Sequence, residues 1–343
     1  MEIIRCDQRH AAEWNAFVDA TTRASFYHRW EWREINHRHL GHASCYLAAV
    51  DQGRVVGVFP IVQVKSHLFG NIGCSMPFVN FGGPVGNSED IEAALLEASS
   101  RVADEWGVNY LEIRSTRDLG MQYPSSKHKV SMTVDLVADP DSLFNAFKGD
   151  QRKEIRRGYK YGFTARFGSD SVFDDFYSIL CRSWRDLGTP IYPRDYLESV
   201  VSTFGAQVRI CVVYAADGTP AATAFMAQQN GVVEGMWLGT LAEYRRQLVG
   251  YVLYWEIIKD ACERGHHLFH LGRSTAESGA EQFKRKWNAQ PLQLYWHYIL
   301  RTRTDVPALN PQNPRYQLAI RAWRKLPLVV TQTLGPFIAR SIP

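Results

Sequence analysis

Hydrophobic and polar positions along this chain follow one strand–helix pattern that is then repeated. Residues 44–50 and 54–64 run or alternate apolar with β-branched side chains around Asp51-Gln52-Gly53, the signal of a β-hairpin. Over 88–106, Ile91, Leu95, Ala98, Val102 and Trp106 fall at helical spacing. Gly107 stops that helix, and 108–114 returns to strand character. Farther along come predicted strands at 208–215, 220–228 and 232–238, a helix over about 248–264 and a strand at 267–271. Helices are also predicted within 10–40, over 171–187 and over 194–203, with strands at 130–136 and 291–301. Asp141 is a plausible N-cap for a helix through Leu143, Phe144 and Phe147. The stretch from Cys74 to Pro84 carries Gly and Pro and reads as a loop.

The two halves also share wording. VDQGRVVGVFPIV around Asp51 has a counterpart in AADGTPAATAFMA around Asp217, and ADEWGVNYLEIRST has one in DACERGHHLFHLGRST. Each pair reads as the same supersecondary piece, a hairpin in the first case and a helix, a Gly stop and a strand in the second. A repeat this long makes each half a complete mixed α/β unit rather than a solenoid element. The expected organisation is a first unit over 1–138, a second, catalytic one over 139–303, and a Pro/Asn-rich linker with a basic, apolar tail over 304–343. Two such units leave a central cleft, where ligands bind.

Composition narrows the picture. At 343 residues, 45% hydrophobic and 13% aromatic, the chain is globular and of a length for about two or three domains. A net charge of +4 gives no ground for DNA binding. The six cysteines are scattered, several in apolar runs, which argues for buried free thiols and against a disulfide framework or a metal site. The N-terminus lacks the apolar core of a secretory signal, and no run reaches the roughly 20 apolar residues of a membrane span. A cytoplasmic protein is expected.

Two stretches could carry chemistry. Arg245-Arg246-Gln247-Leu-Val-Gly250-Tyr-Val252 follows a strand and opens a helix, where backbone N–H groups can hold a pyrophosphate. Gln247-x-x-Gly250 fits the turn of acyl-CoA-dependent N-acyltransferases, with Arg246 beside it, but Val252 stands in place of the final Gly or Ala. An ordinary strand–helix turn is the alternative. The second stretch is Gly272-Arg273-Ser274-Thr275 followed by Glu281-Gln-Phe283-Lys284-Arg-Lys-Trp287. Its clustered cations after a strand end can hold an anion or stabilise an oxyanion, or can form a solvated basic face.

At these residues the chain resembles the FemABX family, which moves amino acids from aminoacyl-tRNA to peptidoglycan precursors and is built from two tandem GNAT-like domains. The likeness lies in the helix through Leu253 to Ala261, Gly265, the strand to Gly272, Phe283-Lys284, and the basic run Arg152 to Lys160. A narrower resemblance, carried by SFYHRWEWREI, SMPFVNFGGPV, DLGTPIYPR, GRST and FKRKW, is to the FemAB-like proteins encoded with PEP-CTERM/exosortase and exopolysaccharide systems, grouped with BioF2-like acetyltransferase domains. Asn80-Phe-Gly-Gly-Pro84 lacks the arginine of the peptidoglycan enzymes' Pro-Arg-Gly-Pro. His270 stands where an Asp is common, and no coiled-coil insertion is visible.

The resemblance implies acyl or aminoacyl transfer to an amine, with acyl-CoA or aminoacyl-tRNA as cosubstrate and no tightly bound cofactor. It implies a small-molecule or lipid-linked glycan or peptide precursor as partner. Lys284 is then the cation beside the oxyanion or donor, Arg273 with Ser274 and Phe283 contacts substrate, and Asp186 binds or deprotonates the acceptor amine. Tyr192 and Arg194 follow in a proline-bounded loop. His270 is either a base or structural. His28 and Trp30 either line the first unit's side of the cleft or pack in its core. A non-catalytic reading, in which the fold recognises a precursor or an exosortase partner, stands beside these. In the tail, Leu318, Trp323, Leu326 and Val329 lie among Arg321, Arg324 and Lys325. This suits either a peripheral contact at the inner membrane face or a terminal helix docked on the protein, and Pro327 interrupts it.

Overall fold

Where the sequence repeats, the backbone repeats. The computed structural model describes residues 1–66, 69–120, 123–302, 305–307 and 314–342. The chain forms two units, one of Met1–Val130 with Leu292–Pro307 and Arg340–Pro343, the other of Ser131–Pro291 with Ala308–Ala339. The division falls inside a strand rather than at 138, and the late aromatic strand, from Leu292 on, goes to the first unit instead of the second. Most of the expected linker lies outside the described residues.

In the first unit the order is β1 (Glu2–Cys6), α1 (Ala11–Ala20), α2 (Trp32–Leu40), β2 (Ala43–Asp51), β3 (Arg54–Ser66), β4 (Gly70–Cys74), β5 (Val85–Gly86), α3 (Glu89–Glu105), β6 (Tyr110–Ser115) and β7 (Ser125–Asp135), which runs on into the second unit. The second unit continues with α4 (Pro140–Ala146), α5 (Gly149–Tyr159), β8 (Thr164–Gly168), α6 (Phe173–Leu187), α7 (Arg194–Phe204), β9 (Val208–Tyr214), β10 (Pro220–Gln229), β11 (Val232–Thr240), α8 (Val249–Glu263), β12 (Leu268–Thr275) and α9 (Gly279–Arg285). β13 (Gln290–Leu300), α10 (Pro314–Lys325) and α11 (Leu328–Ala339) close the chain. The helical stretch expected over 10–40 is broken in two. The helix at 140 is capped by Asp139, whose carboxylate accepts from the N–H groups of Asp141 and Ser142, because Pro140 takes the first helical position.

The first unit's strands lie in the order β1-β2-β3-β4-β6-β13. β2 is buried on both faces. Its Leu47 and Ala49 pack with Leu95, Leu96 and Val102 of α3, while Tyr46 and Ala48 pack with Trp14, Phe17 and Val18 of α1. The second unit's order is β7-β12-β11-β10-β9-β8.

The duplicated piece is the same in both. Helix α3 ends at Gly107 (φ +57°) and α8 is followed by Gly265 (φ +77°), a left-handed stop that favours glycine. Three residues after each glycine a strand enters parallel to an earlier one, β6 beside β4 starting at Tyr110↔Ile72, and β12 beside β11 starting at Leu268↔Val232.

Candidate active site

The second unit's sheet opens where β11 and β12 part. Their parallel pairing runs over Val232↔Leu268, Val233↔Phe269 and Glu234↔His270, although both strands continue past it. On its other side β11 stays paired with β10 as far as Thr240, with a bulge between Gly235 and Trp237. The bulge and the opening coincide, leaving a fork in an otherwise regular sheet.

Lys284 of α9 is buried at this fork. Its Nζ donates to the carbonyls of Gly272 (2.7 Å) and Arg273 (3.3 Å) of β12. Burial, with Arg273 as the lesser cause, pushes its ammonium down to about 7. A lysine so placed changes charge near neutral pH, as a group that handles protons or a developing negative charge must.

Gly272 is what makes the carbonyls available. In the first unit, the third parallel pair is followed by Ile113 and then Arg114; in the second it is followed by Leu271, Gly272 and then Arg273. The shared Arg-Ser-Thr therefore sits one residue later in β12. The extra residue is Gly272, at φ +82°. An extra residue of this kind bends the strand locally, as a bulge does, and changes where the arginine after it sits. Arg114 points inward and donates to Glu112 Oε1 (2.7 Å), whereas Arg273 is half-buried and Leu271, two residues before it, has no carboxylate. A Cβ on Gly272 would lie 2.8 Å from the Gly235 carbonyl oxygen. Gly272→Ala is expected to cost about 2–4 kcal/mol, the strain of a positive φ plus this approach, read as a lowered urea midpoint.

A 3₁₀ stretch, Ala242–Gln247, leads into the start of α8. Leu248 takes a left-handed conformation (φ +66°), and the helix begins at Val249 with no side-chain cap. At Gly250 a Cβ would meet nothing nearer than Phe283 Cζ at 3.9 Å. Val252 is buried against α5, where Gly158 makes room for it: a Cβ there would come 2.8 Å from Val252 Cγ2. That packing sets the end of α5, with Arg156, Arg157 and Lys160 exposed, beside the turn that exposes Arg245 and Arg246. Gln247 is half-buried. The basic run and the turn, far apart in sequence, thus form one cationic neighbourhood.

Helix α6 meets β11 from the other side. Gly239 lets it approach, and Ser183 Oγ accepts from the Thr240 N–H (3.2 Å) and donates to the Thr240 carbonyl (3.3 Å). Trp184 Nε1 donates to the Leu238 carbonyl (3.2 Å). The Leu241 N–H bonds the Ala221 carbonyl, which in an antiparallel ladder turns the polar groups of Thr240 and Leu238 away from β10. These are the backbone groups on the open side of the fork, and α6 bonds the Leu238 carbonyl and both groups of Thr240. Tyr192 stacks in an aromatic group with Trp184, Tyr196 and Trp237. Asp186 accepts two hydrogen bonds from Arg185 (2.9 and 2.7 Å), and Arg194 pairs with Asp174 and Glu198.

His270 is buried, its Nδ1 2.9 Å from Ser131 Oγ, and burial pushes it down to about 4, so it is neutral at ordinary pH. Ser274 is buried, and its hydroxyl has no hydrogen-bond partner among the described residues. Phe283 packs against Tyr251, Tyr254 and Trp287 at the opening of α8. His28 and Trp30 belong to the first unit. His28 Nε2 donates to the Gly83 carbonyl (2.8 Å) while Nδ1 accepts from the Ser25 N–H, and burial holds the imidazole below its usual value. Trp30 packs on Trp14 and Tyr46. Both are tied into that unit's interior. Sequence reasoning missed Ser183, Trp184, Trp237 and Gly158. Gly239 in an apolar strand, a mark of close backbone approach, was the available signal for the first two.

Residues 147–285, which hold the fork, α8 and Lys284, match the acetyltransferase (GNAT) domain family. No curated protein matches the sequence. Among solved structures, FemX superposes with a TM-score of 0.70 at 14% identity, over 93% of this chain and 100% of that one. The L-PGS of Bacillus licheniformis gives 0.57 at 14%, over 94% and 98%. A tandem GNAT protein from the clavulanic acid biosynthesis pathway gives 0.53 at 12%, over 89% and 99%. At such identities the likeness is one of fold: two GNAT-like units in tandem, in a mixed α/β architecture. The class defined by the domain match is a GNAT-type acyltransferase. Among the described residues no group of His, Cys, Asp and Glu could hold a metal ion, and no helix is long and apolar enough to cross a membrane.

Proposed function

We propose that this protein transfers an aminoacyl group from a phosphate-rich donor, aminoacyl-tRNA, to an amine of a cell-envelope or exopolysaccharide precursor. The observation that carries the reading is Lys284, buried on the Gly272 and Arg273 carbonyls at the fork. The acceptor nitrogen bonds to the donor's acyl carbon, the ester C–O bond breaks, and the amine's proton leaves with the released hydroxyl. In between, the carbonyl oxygen carries negative charge, and the Lys284 ammonium stabilises it in a water-poor site. Arg273 is the partner for a substrate phosphate or carboxylate, and Asp186 the candidate on the acceptor side. Arg156, Arg157, Lys160, Arg245 and Arg246 supply the cationic surface a polyphosphate donor needs. The precursor class, and any link to exosortase systems, rests on resemblance.

A second reading uses acyl-CoA. The uncapped start of α8 and the open space at Gly250 favour it. Against it, an extended amide-bearing arm laid into the fork would bond β11 as an added strand does, and the Leu238 carbonyl and both Thr240 groups there are already taken by Trp184 and Ser183.

Thermal shift separates the two. Aminoacyl-tRNA is expected to raise the melting temperature, by the equivalent of about 2.7 kcal/mol at a hundredfold excess over Kd, while acetyl-CoA leaves it unchanged. A shift with acetyl-CoA that disappears in Gly250→Trp would transfer the assignment to the CoA-dependent reading. No shift with any donor or UDP-linked precursor would remove the enzyme reading.

A further inference from the structure

We propose that α10 and α11 form a docking surface for an anionic lipid bilayer. Both helices rest on the second unit by one face. In α11 the inward line is Thr331, Gly335 and Ala339, all buried; a Cβ on Gly335 would lie 3.0 Å from the Ile191 backbone nitrogen. The line two residues out of phase, Val329, Thr333 and Phe337, points the opposite way. Val329 is 73% exposed and Phe337 61%. In α10, Ile320 and Trp323 face inward, Ile320 against Gly188. Its outer line is Leu318, Arg321, Ala322 and Lys325, all exposed, Leu318 at 75%. Four of the ten exposed large apolar side chains among the described residues, Leu318, Val329, Leu334 and Phe337, lie on these two short helices. A soluble surface does not gather them by chance in so few residues.

Charge selects the occupant. After Asp305 the sequence contains no Asp or Glu, while Arg315, Arg321, Arg324, Lys325 and Arg340 supply five cations. Among the described residues Arg321 and Lys325 form no ion pair, and Arg324 donates to the Leu187 carbonyl rather than to an acid. Apolar side chains beside unneutralised cations match the boundary of an anionic membrane, where acyl chains take the first and headgroup phosphates the second. Neither helix has the length to span it. The inference does not depend on the transfer reaction.

The test is co-sedimentation of the full chain with vesicles of phosphatidylglycerol and phosphatidylcholine against vesicles of phosphatidylcholine alone. Binding is expected to be at least about tenfold stronger to the anionic vesicles and to weaken with salt. Leu318→Glu with Val329→Glu should lower it about tenfold or more with an unchanged thermal melt, since both side chains are exposed. Arg321→Gln with Lys325→Gln should flatten the salt dependence. Failure to sediment with either vesicle, equal binding to both, or a self-association of the protein that Val329→Glu abolishes would overturn the proposal.

Discussion

Replacing Lys284 with methionine is expected to lower transfer by about 10²–10³-fold while leaving the fold at least as stable at pH 6. The first effect is that of removing one preorganised donor from an oxyanion site. The second follows from burial. The folded chain holds the ammonium near 7 while an unfolded lysine titrates near its ordinary 10.5. Between those values the unfolded chain binds the extra proton, so stability rises with pH across that window. Below about 7 the folded protein carries the full cost of a buried cation, on the order of 4 kcal/mol. Methionine removes that cost, against about 1–3 kcal/mol for leaving the Gly272 and Arg273 carbonyls without their donor. Urea melts of parent and variant at pH 6 and pH 10 check this: the variant's advantage should shrink or reverse at the higher pH. If the cation is the working form, the parent's rate should fall as pH rises through about 7. A rate that climbs through the same range would make the neutral amine the active form and Lys284 a base. A loss of less than tenfold would remove it from the chemistry.

The largest stability effect is expected in the first unit, from Glu112→Ala. Arg114 is 1% exposed, donates to Glu112 and to the Val79 carbonyl (3.2 Å), and lies over Trp296 with 4.5 Å between its guanidinium carbon and the ring centroid. Removing the carboxylate leaves a buried guanidinium without its counter-charge, a change worth about 3–5 kcal/mol. Glu112→Gln keeps an oxygen acceptor and should cost less. The double variant Glu112→Ala with Arg114→Met should recover part of the loss, because the stranded charge goes too. Melting curves of the three variants check the order. If Glu112→Ala melts like the parent, the pair is not what holds that strand. The pair also gives the arginine of the first unit's Arg-Ser-Thr a structural role.

What the sequence made legible was local and periodic. The hairpins, the helices ended by Gly107 and Gly265, and the strands after them all follow from patterns within a dozen residues. The break between α1 and α2 was hidden because Phe26–His28 keep a helical turn of their own, a 3₁₀ turn, and only the residues flanking it are extended, Ser25 at ψ +173° and Arg29 at ψ +141°. The place of β13 depends on pairing with β6, nearly two hundred residues earlier, and no local pattern encodes it. Lys284 and Phe283 came from resemblance; spacing alone did not distinguish them from a solvated basic face. Ser183 and Trp184 gave no signal of their own, since their partners are backbone groups, which every residue has; only Gly239 in β11 marked the close approach.

Gly272 also bears on how a duplicated chain comes to divide its labour. Two strands of shared ancestry end in the same three letters, so a comparison that scores identity sees them as equivalent. One additional codon upstream of those letters takes the arginine out of the strut position beside a carboxylate and puts a left-handed residue where two carbonyls meet a lysine. Deleting it should bring Arg273 to the place Arg114 holds, with His270 rather than a carboxylate two residues before it, so the chain could not revert to two like halves without a second change. The difference between the two strands thus lies in one inserted glycine rather than in the three letters they share.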